Sequence, residues 1–218
     1  MNSGDSSGKI SCCRGIVLAC AALVLSLPAV AQRSEVQFLR SWQAADRAVL
    51  EEVRGVTFAA DGTLLFSERG RGALWRLAGE TATPTDLAGR DRSFSSKKVG
   101  GLAVFGSGRV AVANTSDDSI ALVDDQGRIT SVFGGRGAGY GQLSDPEGLV
   151  ASVRQRLYVA DRGNNRVAVY SEDGVFLHPI GGGKDPATAL VRPVQVAVDG
   201  AERVYVLEDL DGGRLSVY

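Results

Sequence analysis

The chain has 218 residues with a formal net charge of −1, and 44% of its residues are hydrophobic while 22% are charged. This length fits one domain with a core of its own, and the near-neutral balance lacks the basic excess typical of nucleic-acid binding. The 28 glycines suit many short strands and tight turns better than long helices.

The N-terminus has the pattern of an export signal. Lys9 and Arg14 precede an apolar run over 15–27, and Ala29-Val30-Ala31 is an A-x-A cleavage sequence. The run is shorter than the roughly 20 residues that a membrane span needs. We therefore predict a signal peptide over 1–31 and a mature domain over 32–218. That domain would be periplasmic or secreted, with no stable membrane span.

A lipoprotein signal with a lipidated Cys20 is the alternative, but only five apolar residues would then precede the cysteine. Cys12 and Cys13 are the other two cysteines, and they also lie in the predicted signal. The mature chain of 218 − 31 = 187 residues thus contains no cysteine. This predicts a domain held by core packing, without disulfides, thiolate metal sites or a cysteine nucleophile.

After the signal, residues 36–42 have the composition of an outer strand, and a motif then recurs to the end of the chain. Gly55, Gly101 and Gly148 occupy one position of this motif and Gln195 takes the same position in the last copy, with spacings of 46, 47 and 47. Each copy contains short apolar strands separated by Gly, Asp and Asn turns, which predicts the blades of a β-propeller. The copies lie near 55–89, 101–134, 148–182 and 194–218.

The third copy is the most regular. It contains, in this order, Pro146-Glu147-Gly148, Tyr158-Val159-Ala160-Asp161, Asn164-Asn165-Arg166-Val167 and Asp173-Gly174. In this order the copy resembles the NHL repeat closely, and weaker likeness extends over 36–218. The resemblance implies an all-β fold of four-stranded antiparallel blades, usually arranged as a six-bladed ring.

About four blades are therefore expected in this chain. We favour an incomplete six-bladed ring, in which the segments 36–42 and 214–218 lie far apart. The alternative is a four-bladed ring, in which the early strand over 36–42 pairs with 214–218 and so protects two exposed edges.

Two features that suggest catalysis at first sight are interpreted as structural. His178 is the only histidine and lies in a predicted outer strand, so it cannot supply a multi-histidine zinc site or a Ser-His-Asp triad. The glycine-rich loop over 134–141 does not fit a phosphate-binding motif and precedes a strand, which predicts a link between blades. An oxygen-bearing side chain also recurs at the end of the second strand of each copy, and it is expected to accept hydrogen bonds from the amides of the following turn. These residues are Glu68, Asn114, Asp161 and Glu208.

Glu147 opens an innermost strand and should point toward the mouth of the central channel. The segment Pro146-Glu147-Gly148 is faintly similar to calcium-dependent lactonases of the gluconolactonase and paraoxonase type. Calcium needs six to eight oxygen ligands, and the equivalent residues Arg54, Gly100 and Val194 do not supply them. We therefore expect no cofactor, with calcium at Glu147 only under this alternative.

Arginines are the strongest sign of a partner surface, because the planar guanidinium group is favoured at recognition sites. By the geometry that the resemblance implies, the turns between strands two and three share one face with the loops between blades. A solvated rim balanced by aspartates on other blades is the alternative. The predicted partner-binding residues are Arg54, Arg69, Arg71, Arg136, Glu147, Arg162 and Arg166.

These features predict an exported NHL-like propeller that acts as a binding or scaffold module for a protein, peptide or glycan. The alternative is a propeller metalloenzyme, lactonase-like or amidating-lyase-like, with its site at the central channel. RNA binding, as in animal NHL proteins, is disfavoured by the export signal and the acidic balance.

Overall fold

The computed structural model describes residues 52–70, 72–79, 81–87, 98–183 and 188–218, all within the compact unit Trp42–Tyr218. The signal peptide, Cys20, the early strand over 36–42 and Arg71 lie outside these residues, so the expectations about them stay predictions. Among the described residues, no helix is long and apolar enough to cross a membrane.

In the described part of the chain, fifteen strands form four antiparallel sheets, and in each sheet consecutive strands are neighbours. We number the sheets as blades 1 to 4. Blade 1 contains β1 (Val53–Phe58), β2 (Leu64–Glu68), β3 (Ala73–Ala78) and β4 (Thr81–Asp86), and blade 2 contains β5 (Val99–Val104), β6 (Val110–Asn114), β7 (Ser119–Val123) and β8 (Ile129–Gly134). Blade 3 contains β9 (Pro146–Ala151), β10 (Arg156–Asp161), β11 (Arg166–Ser171) and β12 (Phe176–Gly181), and blade 4 contains β13 (Pro193–Val198), β14 (Val204–Glu208) and β15 (Arg214–Val217).

The all-β propeller architecture predicted from the repeat is confirmed. The inner strands contact each other in series, β1 with β5, β5 with β9 and β9 with β13. They begin two residues or fewer before the predicted copies, and the last blade shows three strands in the described part of the chain. Whether the full ring has six blades stays a prediction.

Tight turns with fixed side-chain caps connect the strands within a blade. Asp124 accepts hydrogen bonds from the amides of Gln126 and Arg128, and Asp199 does the same for Ala201 and Arg203. The hydrogen bonds from the amides of Arg128 and Arg203 are the largest causes of the lowered pKa of the two aspartates. Such aspartate caps specify two-strand hairpins locally, before any blade packs on another.

Between blades, the recurring glycine lets the inner strands approach closely. A Cβ atom on Gly101 would lie 2.5 Å from the carbonyl oxygen of Glu147 on the next blade. A Cβ on Gly55 would lie 3.1 Å from the amide nitrogen of Leu102. Contact with backbone atoms cannot be relieved by a rotamer change, so the repeat position requires glycine where another inner strand follows.

Three apolar clusters fill the spaces between adjacent blades. Leu65 and Leu74 of blade 1 pack with Leu102 and Val112 of blade 2, and equivalent clusters join blade 2 to blade 3 and blade 3 to blade 4. Stability therefore comes from blade-on-blade stacking, as expected for a repeat protein. The outermost strands β4 and β12 each contain a proline, which blocks one backbone hydrogen bond at an otherwise open edge.

Candidate binding face

The recurring oxygen-bearing residues at the ends of β2, β6, β10 and β14 are buried, as a structural role requires. Asn114 accepts hydrogen bonds from the amides of Ser116 and Asp117, the turn contact predicted from the sequence. Glu208 instead accepts a bond from the amide of Val191, which precedes the inner strand of its blade. These side chains therefore fix the turns and interblade loops of one face.

Asp161 shows how strongly this face is tied together. Its carboxylate accepts hydrogen bonds from the amide of Ser144 at 2.7 Å, from Nδ2 of Asn164 and from Nε of Arg166 at 2.7 Å. Burial raises the pKa of Asp161, and the hydrogen bonds from Asn164, Ser144 and Arg166 oppose that rise. The D-x-x-N-x-R spacing of the repeat thus encodes a buried hydrogen-bonded cluster.

Arg166, one of the predicted partner residues, is committed to the interior. Its guanidinium donates hydrogen bonds to the carbonyl oxygens of Ala138 and Gly139 in the glycine-rich loop between blades 2 and 3, and to that of Gln142 directly after the loop. Only 9% of the residue is exposed. The loop is therefore a structured link that Arg166 holds in place.

Ion pairs link the residue before an inner strand to the residue after strand two of the same blade. Arg162 Nη1 lies 2.8 Å from the Asp145 carboxylate, and Arg192 Nη2 lies 3.6 Å from that of Asp209, with the charges reversed. Arg162 also reaches Asp209 at 3.3 Å, which joins blades 3 and 4. These contacts show that interblade loops and strand-two turns share one face, which we call the loop face.

Arg136 also lies on the loop face. Its Nε is 2.8 Å from the carboxylate of Asp118, whose other oxygen accepts the amide of Asp145. The Arg136 side chain is 80% exposed, so it remains reachable by a partner. The alternative that aspartates neutralise the arginines therefore holds for Arg136 and Arg162, each of which forms an ion pair with an aspartate.

Glu147 differs from these residues. It is partly buried, and the part of the chain that the structure describes gives it no hydrogen bond and no ion pair. Burial is the largest cause of its raised pKa and Asp145 adds to it, while Arg162, Arg54 and Arg69 lower it. The structure therefore brings three of the predicted arginines within electrostatic reach of Glu147: Arg54, Arg69 and Arg162.

Arg54 and Arg69 also keep free hydrogen-bonding capacity. Their closest carboxylate is Glu52, at 3.9 Å from Arg54 Nη2 and 3.6 Å from Arg69 Nε, and both separations exceed hydrogen-bond length. Since these pairs are solvent-exposed, they hold the side chains only weakly. Within the described ranges, the loop face thus offers one carboxyl group without a partner and two guanidinium groups without a hydrogen bond.

No group of three or more His, Cys, Asp or Glu residues that could hold a metal ion occurs among the described residues. Arg54, Arg69 and Arg162 act electrostatically on Glu147, and their positive charges would repel a metal ion there. His178 is exposed on β12, as predicted.

Sequence reasoning missed the partners of the arginines. Glu52, Asp145 and Arg192 were not assigned roles, although they stand at one position of the repeat, directly before an inner strand. Their charges are opposite to those of the residues that follow strand two in the same copies, and that correlation was available in the sequence.

Comparison with known proteins agrees with this geometry. The NHL repeat model matches residues 143–170, which cover β9 to β11 almost completely. Protein lin-41 of Caenorhabditis elegans is 47% identical over 45 residues, a stretch that spans 21% of this chain and 4% of that protein.

Solved structures share the fold at low identity. A virginiamycin B lyase from Staphylococcus aureus superposes with a TM-score of 0.57 at 12% identity, over 76% of this chain and 55% of the lyase chain. A chain of a nidogen/laminin complex gives 0.58 at 17% identity, over 78% and 61%. The chain thus spans little more than half of these relatives, which include an enzyme and a binding protein. The chain is a β-propeller whose third blade contains an NHL repeat.

Proposed function

We propose that the protein is an exported binding or scaffold module that contacts a protein, peptide or glycan through its loop face. One observation carries the proposal. The loop face is rigidly cross-linked by buried carboxylates and ion pairs, yet Arg54, Arg69 and Glu147 at its centre are left without hydrogen-bond partners among the described residues. A rigid frame around unused polar groups is typical of recognition sites.

Binding to peptide and glycan arrays tests the proposal. The fluorescently labelled chain is compared with Arg69→Glu on the loop face and with Arg203→Glu in the Asp199 turn at the opposite ends of the strands. We expect array binding that Arg69→Glu lowers at least tenfold and Arg203→Glu leaves unchanged. Absence of binding to either array, or equal losses in both variants, would reject the proposal.

The metalloenzyme alternative predicts a different result. Calcium titrated into the chain would bind stoichiometrically, and Glu147→Gln would abolish that binding. The arginines beside Glu147 favour an anionic ligand group over a metal ion, so we expect no calorimetric calcium binding.

A further inference from the structure

Three neighbouring blades meet at the centre of the loop face. Arg54 on β1, Gly100 on β5 and Glu147 on β9 each directly precede the recurring glycine of their repeat. Because β5 contacts both β1 and β9, Gly100 lies between the cationic and the anionic residue. Opposite charges therefore flank a position that has no side chain.

The residues after strand two also place a small residue between two charged ones, which here are both cationic. Arg69 follows β2, Thr115 follows β6 and Arg162 follows β10. The Thr115 hydroxyl donates to the carbonyl oxygen of Pro146 at 3.2 Å, so this short side chain is turned toward blade 3. At these two positions blade 2 thus contributes a residue without a side chain and a residue with a short one. We call Arg54, Arg69, Gly100, Thr115 and Glu147 the central site.

The charged residues of the central site differ from the other arginines of the loop face in how few hydrogen bonds they make. Arg162 is held by Asp145 and Asp209, and Arg192 donates two bonds to the carbonyl oxygen of Asp209. Arg54 and Arg69, in contrast, make only the long contacts to Glu52, and Glu147 makes none among the described residues. The unused donors stand on blade 1 and the unused acceptor on blade 3.

We propose that the central site binds a zwitterionic peptide, with a carboxylate on Arg54 and Arg69 and an ammonium group on Glu147. This inference rests on the proposed function and narrows its ligand to peptides. A simple anion would satisfy the arginines but face Glu147, and a simple cation would face two guanidinium groups. A neutral glycan would shield three charges from water without pairing any of them, whereas a zwitterion gives each a charge-assisted hydrogen bond.

Triglycine is the probe, measured by isothermal titration calorimetry against its N-acetylated and its C-amidated form. We expect triglycine to bind at least tenfold more tightly than either capped form, since one charge-assisted bond contributes about 1.4 kcal/mol or more. Glu147→Gln should remove the advantage of the free amine and keep that of the free carboxylate. Arg54→Gln should do the reverse.

Arg128→Gln is the matched control, because Arg128 is exposed and pairs with Asp124 in the β7–β8 turn at the other ends of the strands. It should leave all three affinities unchanged. Equal binding of the capped and free peptides, or no binding of triglycine, would overturn the inference. Array binding that is sensitive to Arg69→Glu but indifferent to peptide termini would overturn this inference alone and leave the proposed function standing.

Discussion

At the residue scale, the molecule separates carboxylates that hold the fold from one that is free to act. Asp161 and Glu208 are buried and hydrogen-bonded to backbone amides and arginines. Glu147 is partly buried with no such bonds among the described residues. An unpaired acid of this kind adds nothing to stability, so its presence on a rigid face points to binding.

Replacing Glu147 with Gln should leave the free energy of unfolding unchanged at pH 4 and raise it slightly at pH 7, by less than about 1 kcal/mol. Burial, and then Asp145, raise the pKa of Glu147 above its unfolded value. Any stabilising contribution of the protonated acid is therefore complete below the unfolded pKa and is lost as the pH rises through the folded pKa. Urea denaturation of both proteins at the two pH values measures the difference.

A Gln variant that is less stable than the wild type at pH 7 would show that Glu147 forms a favourable ion pair in the fold. The control is Asp124→Asn. Backbone hydrogen bonds lower the pKa of Asp124, so its stabilising contribution is present above the unfolded pKa and is lost on acidification. The two variants should thus respond to pH with opposite signs.

At the element scale, the glycine-rich loop over 134–141 and the two residues after it are joined to blade 3 by the Asp161 and Arg166 pair. Replacing Asp161 with Asn should lower the free energy of unfolding by about 3 kcal/mol, because the buried Arg166 charge loses its partner. The amide oxygen can still accept the Ser144 amide, but an amide NH₂ facing Arg166 would place two donors together. Chemical denaturation of Asp161→Asn beside Asp124→Asn measures this loss.

A loss in Asp161→Asn no greater than in the exposed-turn control would mean that Arg166 holds the loop through its carbonyl contacts alone. Hydrogen exchange separates these cases, since the amides of Gly137 and Leu143 are bonded within the loop and report on its opening.

Inner-strand contact gives a second prediction at this scale. Gly101→Ala should destabilise the protein by about 2 kcal/mol or more, because the new Cβ meets the backbone of β9 and pushes blades 2 and 3 apart. Gly200→Ala is the control, since nothing lies within 4 Å of a Cβ there. Thermal unfolding of the two variants measures the contrast, and equal melting temperatures would show that the blades separate without strain.

The strands could be predicted from the sequence better than the contacts between side chains on the loop face. Period, turn residues and the motif of the third copy were enough for the blades, because each strand is specified by local pattern. β4 follows only from the four-stranded blades that the resemblance implies, since its Thr-rich sequence with Pro84 lacks the apolar character of the other strands. Arg166 was predicted to lie at the surface, but it is buried against Asp161 and the interblade loop. The local sequence pattern does not show where that loop folds, so it could not predict this burial.

At the scale of the whole molecule, equivalent residues differ in burial according to the blade they occupy. Val56 on β1, Leu102 on β5 and Leu149 on β9 stand at one position of the repeat, yet Val56 is 59% exposed and the other two are 5% and 6% exposed. Phe58, also on β1, is 67% exposed. Each buried copy packs on the preceding blade, and β1 makes no comparable contact with β13 among the described residues.

Nearest-neighbour stacking therefore predicts that substitution costs depend on the blade. Leu149→Ala should lower the free energy of unfolding by about 2 to 4 kcal/mol, because it opens a cavity in the cluster between blades 2 and 3. Val56→Ala should cost less than about 0.5 kcal/mol, since its side chain is largely in water. Urea denaturation of the wild type and both variants in one buffer measures the two losses in the free energy of unfolding. A loss in Val56→Ala close to that in Leu149→Ala would mean that the outer face of blade 1 is covered in solution, by chain beyond the described residues or by another molecule.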